Sequence, residues 1–397
     1  MSDTFCILPW MHLATNASGT LRVCCNSTPG KNFIIRPDGN NYKLFRDDIA
    51  QAWNSETYQT IRQQFLDGER PEMCQRCFRE EDAGVKSARQ GANEKWMENS
   101  DAKYNKTAPL NIKYVDLRLG NLCNLKCRMC NPYASNQWLK EWNAITSYNH
   151  KELDKDERIR LTKMDWPEDK KTWENLFSIA HTVEEIYLTG GEPTIIKEQH
   201  KLLDYFIDNG TAKDIKLKYN TNLTNVPKHL LDKWSKFKRI QLNCSIDATH
   251  ELDRYIRHPS DWKTIQRNFE YIRTLDNSYI QIHCTVQMYN ILRLPELIRW
   301  ATPYGHEIYF NILDDEKKNN IPDEVYKKAS SDFDDRNKNL DWENYYKSLP
   351  FNSSALALYE WSPIAEELKV LDRKIVLNSM ILKWDNIQKE FKELISF

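Results

Sequence analysis

Ten cysteines stand in a chain of 397 residues, and their grouping carries the first chemical information. Cys123, Cys127 and Cys130 (CNLKCRMC) form one tight set at spacings of four and three residues. Cys6, Cys24, Cys25, Cys74 and Cys77 occupy the first fifth of the chain, and Cys244 and Cys284 stand alone. In a reducing compartment, clustered thiols indicate metal ligation or redox chemistry rather than crosslinks. Three thiolates can wrap one loop around an iron–sulfur cubane, one ligand short of the four cysteines that close it. An iron left open can bind a substrate directly, so the cluster becomes a reagent. A zinc site whose fourth ligand is His283 or Cys244 fits the same spacing.

A second motif follows at Thr189-Gly190-Gly191-Glu192-Pro193. The two glycines let backbone groups approach a ligand without a Cβ, Pro193 fixes the exit, and Glu192 offers an acceptor for an ammonium group. In the N-terminal region, Cys6, Cys24, Cys74 and Cys77 come as two separated pairs that can fully ligate one metal centre. Zinc and an iron–sulfur cluster both satisfy that set, and Cys25 offers a second thiol beside Cys24. Pro9, Trp10 and His12 are expected to cover this centre, with His12 a hydrogen-bonded structural residue rather than a ligand. A helix over Trp53 to Phe65, started by Asn54 or Ser55, carries Tyr58, Ile61 and Phe65 on one face and brings the cysteine pairs together. Cys244 and Cys284 lie within strand patterns and are expected to be buried small hydrophobes.

The elements that must position these groups alternate. Strands are expected at Tyr114 to Leu119, Glu185 to Thr189, Ile215 to Thr221, Ile240 to Ile246, Ile280 to Val286 and Glu307 to Ile312. Helical patterns fall between them at Gln199 to Asp208, Pro227 to Lys236, Trp262 to Leu275 and Pro295 to Trp300. Strand, helix, strand, repeated, implies parallel strands joined by crossover helices, and six units amount to a partial (β/α)6 TIM-type barrel of the α/β class. Active sites in such folds lie at the carboxyl ends of the strands, where the cysteine trio and the Gly-Gly turn both fall. The polar run from 86 to 111 reads as a linker. It divides an N-terminal cysteine module at 1–85 from the barrel at 112–313. A polar connection and a helical C-terminal tail, with Leu377, Ile381, Trp384, Ile387, Phe391 and Leu394 on one face, fill 314–397.

Composition excludes several classes. Apolar residues at 40% with 12% aromatics are globular values, and 56 Lys plus Arg against 57 Asp plus Glu leave no global field for nucleic acid or membrane. No run approaches the roughly 18 apolar residues that span a bilayer, and residues 1–10 carry no signal peptide pattern, so a cytoplasmic protein is expected.

In this order, at the ends of consecutive strands, the cysteine trio and the TGGEP turn resemble the radical S-adenosylmethionine (radical SAM) superfamily. The resemblance implies that Cys123, Cys127 and Cys130 hold a [4Fe-4S] cluster whose open iron binds S-adenosylmethionine through its amino and carboxylate groups. Gly190, Gly191, Glu192 and Pro193 would receive the amino group. Reductive cleavage would then give a 5′-deoxyadenosyl radical that abstracts hydrogen from an unactivated carbon. Met129 stands where relatives usually carry an aromatic residue along the adenine. Ser245 and Asp247 (CSIDA) match positions of acceptors for the ribose or methionine end, and Arg257 could pair with the ligand's carboxylate. Asn222 and Gln287 follow strands facing the same cleft. The N-terminal spacing of Cys6, Gly19-x4-Cys24 and Cys74-x2-Cys77 is similar to the SPASM and twitch modules that hold an auxiliary [4Fe-4S] cluster, although here the module precedes the barrel. The Gly19 spacing favours Cys24 over Cys25.

The function so implied is modification of a peptide or oxidation of a small molecule, supplied with electrons by a donor such as flavodoxin or ferredoxin. No general acid or base is assigned. Two alternatives stand beside it. One is radical SAM modification of RNA, against which the balanced charge counts. The other is a zinc-stabilised binding or scaffold protein.

Overall fold

The computed structural model describes residues 2–28, 33–97, 104–142, 153–287, 289–290 and 293–312. The expected tail and polar connection at 314–397 lie outside the described residues. Among the described residues ten strands are present: β1 His12–Thr15, β2 Leu21–Arg22, β3 Tyr114–Arg118, β4 Lys126–Cys127, β5 Glu185–Thr189, β6 Lys216–Thr221, β7 Arg239–Ser245, β8 Arg257–His258, β9 Ser278–Val286 and β10 Glu307–Ile312. Eight form one sheet in the order β10-β9-β7-β6-β5-β3-β1-β2, and β4 pairs with β8 in a small antiparallel ladder.

From β3 to β10 every neighbouring pair in the sheet is parallel and chain order equals spatial order. Right-handed crossovers that always step the same way put all the helices on one face, which is the winding of a barrel rather than of a doubly wound sheet. The six expected barrel strands are all present. The helices Gln199–Asp208, Lys228–Trp234, Trp262–Ile272 and Leu294–Ala301 fall where the apolar periodicity places them.

Alternation along each strand separates two faces. Leu117, Leu188, Tyr219, Leu242, Cys244, Ile282 and Cys284 are fully buried. Tyr219 shows what covers this face, since its hydroxyl donates to Gln199 at 2.7 Å and its ring packs edge-on to Trp234, both on crossover helices. Cys244 and Cys284 are therefore packing residues, as expected. The opposite, inner face is polar. It carries Asp116, Arg118, Tyr187, Lys218, Asn220, Gln241, Asn243, Gln281 and His283 in register from strand to strand.

The N-terminal region departs from the expected layout in two ways. First, β1 runs parallel to β3 in the same sheet, pairing His12 with Tyr114, so the segment before residue 85 extends the barrel's first edge. The described residues up to Val286 and from Glu296 to Ile312 form one compact unit. Second, the polar run from 86 to 111 contains a helix, Ala88–Trp96, closed by a capping box between Ser87 and Gln90. The helix expected to start at Asn54 or Ser55 runs over Glu56–Leu66 behind Ser55, with Tyr58, Ile61 and Phe65 buried, and a separate short helix, Ile49–Trp53, precedes it. The break frees Asn54 to receive Arg62 Nη1 at 2.8 Å, while Arg62 Nε donates to Pro9 O at 2.9 Å. Buried Arg62 also stacks on Trp53 and Tyr58, and so ties both helices to the Pro9–His12 segment.

Candidate functional site

The loop after β3 carries the cysteine trio. Gly120, at φ +91°, turns the chain away from the strand, and buried Asn121 anchors the loop by donating to Pro132 O at 2.8 Å and Leu161 O at 3.0 Å. Cys123 and Cys127 are buried around Leu125, with Met129 and Cys130 packed against them. Burial pushes the Cys123 thiol up to about 12, while a hydrogen bond from the neighbouring Cys127 thiol holds Cys130 below its ordinary value. All three are free of disulfides.

The Gly-Gly turn after β5 packs directly on that loop. A Cβ on Gly191 would lie 2.0 Å from Leu122 O, and one on Gly190, at φ +130°, would lie 3.0 Å from Gly120 O. Glu192 N donates to Leu122 O at 2.8 Å. The glycines are thus required first for backbone-to-backbone contact with the cysteine loop. Glu192 is also more occupied than its sequence context suggests. Its carboxylate, 1% exposed, accepts from Thr194 N (3.2 Å), Thr194 Oγ1 (2.7 Å), Thr221 Oγ1 (2.8 Å) and Asn222 N (2.6 Å). Burial raises its pKa while these donors oppose the rise. The side chain is therefore a strut that fastens the turn to the end of β6, with little acceptor capacity left for an ammonium group. Asn222 completes the strut, its Nδ2 donating to Asn124 Oδ1 at 3.0 Å.

Asp247 and Arg257 are likewise partnered within the protein. They form a buried ion pair, Arg257 Nε to Asp247 Oδ2 at 2.8 Å, and Asp247 Oδ1 accepts from Thr285 N at 2.7 Å. The ladder of β4 with β8 sets Arg257 opposite Cys127, and its Nη1 lies 3.9 Å from Cys127 Sγ. Burial opposes the guanidinium charge, but Asp247, Cys127 and Asp253 hold it above its ordinary value. Asp253 itself is pushed up to about 7 by burial. Arg257 thus faces Cys127 and is paired with Asp247. Ser245, half-buried at the end of β7, remains open. Gln287 falls in the second compact unit. His283 stacks on Tyr309 on the inner face, and Cys244 faces the crossover helices, so neither position of the zinc alternative belongs to the trio's loop. Among the described residues, no group of three or more His, Cys, Asp or Glu side chains closes on a single metal ion.

In the N-terminal region Cys6, Cys74 and Cys77 lie within electrostatic reach of one another, and burial is the main reason their thiols are raised, Cys74 to about 12. Arg89, in a buried pair with Glu81, reaches the Phe5 carbonyl beside Cys6. Thr28 N donates to Met73 O at 2.7 Å, tying the segment after Cys24 and Cys25 to the one before Cys74. His12 stacks on Tyr114 with Nδ1 3.2 Å from Val23 O, and burial lowers its pKa to about 4, so it is structural as expected.

Comparison with known proteins agrees with this chemistry. The radical SAM superfamily model matches residues 117–301, and an iron–sulfur cluster-binding domain model matches residues 6–78. Residues 117–301 thus carry a radical SAM domain and residues 6–78 an iron–sulfur cluster-binding domain, which together support an S-adenosylmethionine-binding [4Fe-4S] cluster and an auxiliary cluster. Curated proteins give no match. Similar solved structures include a hexahistidine-tagged anSMEcpe with bound AdoMet, at 15% identity, 51% coverage of each chain and a TM-score of 0.36. Streptococcus suis SuiB bound to its precursor peptide SuiA is another, at 14% identity, 75% coverage of this chain, 63% of that chain and a TM-score of 0.36. The chain spans between half and two-thirds of the length of these structures. No helix among the described residues is long and apolar enough to cross a membrane.

Proposed function

We propose that Cys123, Cys127 and Cys130 hold the S-adenosylmethionine-binding cluster, and that Cys6, Cys24, Cys74 and Cys77 hold the auxiliary one. When bound, the first cluster supplies a reducing electron and an open iron for cleavage of the sulfonium. The protein's own residues do the rest. The backbone of Gly190 and Gly191, held by the Glu192 strut, forms the rim that receives the methionine end, with Ser245 a further acceptor. Arg257 sets a fixed positive charge against the Cys127 thiolate, balanced by Asp247. The polar inner face receives a peptide or small-molecule substrate and fixes one C–H bond, so positioning and exclusion of water replace acid–base catalysis. A cytoplasmic flavodoxin or ferredoxin type of donor supplies the electrons.

The observation that carries this proposal is the seating of the Gly-Gly turn on the cysteine loop, with no room for a Cβ at Gly191. Two strand-end motifs far apart in sequence form one rim. After anaerobic reconstitution, the protein is incubated with S-adenosylmethionine and dithionite, and 5′-deoxyadenosine is measured. Cys127→Ala is expected to abolish the product, and Cys74→Ala to retain some while losing the second cluster's iron. Equal product from wild type and Cys127→Ala would overturn the assignment. A colourless protein containing zinc would support the scaffold alternative instead.

A further inference from the structure

Behind the cysteine loop, Asp247, Asp253 and Arg257 form a buried cluster whose charges do not balance. Asp247 and Asp253 are 0% exposed and Arg257 is 8% exposed. Asp247 follows β7, Asp253 stands on the helix His250–Ile256, and Arg257 opens β8 directly after that helix. Arg257 is held from one side by Asp247, and on the other its Nη1 lies 3.9 Å from Cys127 Sγ. The one guanidinium is therefore committed to a carboxylate and a thiol before Asp253 is counted.

Asp253 has no such partner of its own. Its Oδ2 accepts from Ser260 Oγ at 2.7 Å, and Ser260 N donates to Arg257 O at 2.9 Å, which fixes Asp253 beside the start of β8. Its Oδ1 is buried without a hydrogen-bond partner among the described residues. The neighbouring elements bring no further counter-charge. Arg128 of the cysteine loop is turned over the Tyr255 ring at 3.8 Å, Arg254 is exposed, and on the adjoining helix Trp262–Ile272 the charged residues Lys263, Arg267 and Glu270 are exposed. A second buried carboxylate that shares one guanidinium is costly as an anion, and it lowers that cost by binding a proton. Burial accordingly pushes Asp253 up to about 7, with Arg257 and Ser260 opposing the rise. Near that balance, one added negative charge on the far side of Arg257 decides its state.

We infer that Asp253 is the proton acceptor coupled to reduction of the cluster held by the cysteine trio, taking up a proton as that cluster takes up its electron. This rests on the assignment of the trio above. One electron passes from the reductant, dithionite in the assay, to the cluster. One proton passes from water to the Asp253 carboxylate, where an O–H bond forms, so the net charge around Arg257 is the same before and after. Ser260 supplies the route, since its buried hydroxyl sits in the chain between exposed Pro259 and exposed Asp261. Asp253 acts through Arg257 and is a positioning residue, one that sets the charge against which the electron arrives. Above its titration range it stays ionised in both redox states, and below that range it stays protonated in both. The coupling is therefore confined to the neutral region.

Two measurements on the reconstituted full chain test this. Midpoint potentials are read by electron paramagnetic resonance during titration with dithionite, without S-adenosylmethionine, from the reduced-cluster signal that Cys127→Ala lacks. In wild type the potential is expected to fall as pH rises through neutrality, by about 59 mV for each tenfold difference in proton affinity between the two redox states. Asp253→Asn, which keeps an acceptor for Ser260 and carries no charge, is expected to hold the same iron and to give a potential independent of pH, at the acid limit of wild type. A flat wild-type potential, or a slope that survives in Asp253→Asn, would overturn the inference. The second measurement needs no redox change. A carboxyl raised in the folded chain contributes stability that is full below its unfolded value of about 4 and is lost as pH rises through about 7. The melting temperature of wild type is therefore expected to drop more than that of Asp253→Asn between about pH 6 and about pH 8, and equal drops would overturn the buried proton. Absence of any signal that Cys127→Ala removes would instead overturn the assignment of the trio, and the coupling with it, while the melting comparison would still report the proton on Asp253.

Discussion

A carboxylate that appears in a ligand-binding motif need not face the ligand. Glu192 accepts four hydrogen bonds from Thr194, Thr221 and Asn222 and is buried, so its largest effect is on the position of the Gly-Gly turn. Glu192→Gln puts an amide N–H₂ against donors that need an acceptor. Leaving buried donors unsatisfied costs about 1–3 kcal/mol, so the melting temperature is expected to fall even without S-adenosylmethionine. An unchanged melting temperature with weakened S-adenosylmethionine binding would return Glu192 to the purely ligand-facing role.

At the scale of elements, a ladder of two residue pairs has a large consequence. Only two residues each of β4 and β8 pair, yet they bring Arg257 against Cys127 and secure the cysteine loop from its far side. Arg128 strengthens the junction, donating from its backbone to Ile256 O at 2.9 Å and from Nε to Tyr255 O at 2.8 Å. Arg257→Met would leave Asp247 buried without its cation. Breaking a buried pair from one side costs about 3–5 kcal/mol, so this variant is expected to melt lower and, after reconstitution, to hold less iron at the trio than wild type. Full iron content and an unshifted melting curve would show that the ladder holds the loop without the ion pair.

For the whole molecule, the N-terminal region is part of the sheet and not an appended module. β1 covers the open edge of β3, the strand from which the cysteine loop springs, and antiparallel β2 lies beyond it. An uncovered edge strand invites pairing with other chains. A chain beginning at residue 112 is therefore expected to aggregate when expressed, as judged by size-exclusion chromatography. A monodisperse, folded fragment would show that the barrel closes its edge without β1. The arrangement also joins the two cysteine regions through one continuous ladder from His12 to Tyr114.

The sequence alone determined what depends on local pattern. Period-two and period-3.6 apolar repeats marked the six barrel strands and four crossover helices, because burial on one face leaves that signature in residue order. Thiol spacing marked the chemistry in the same way, since a ligand loop must be short to wrap one centre. The tertiary structure decided what depends on residues distant in the chain. Short β1 and β2 have too few residues for a period to show, and the helix at Ala88–Trp96 is polar because it has little apolar area to bury, so composition made it look like a linker. Neither the Glu192 strut nor the Asp247–Arg257 pair is visible in their neighbours, since Thr221, Asn222 and Thr285 arrive from other strands.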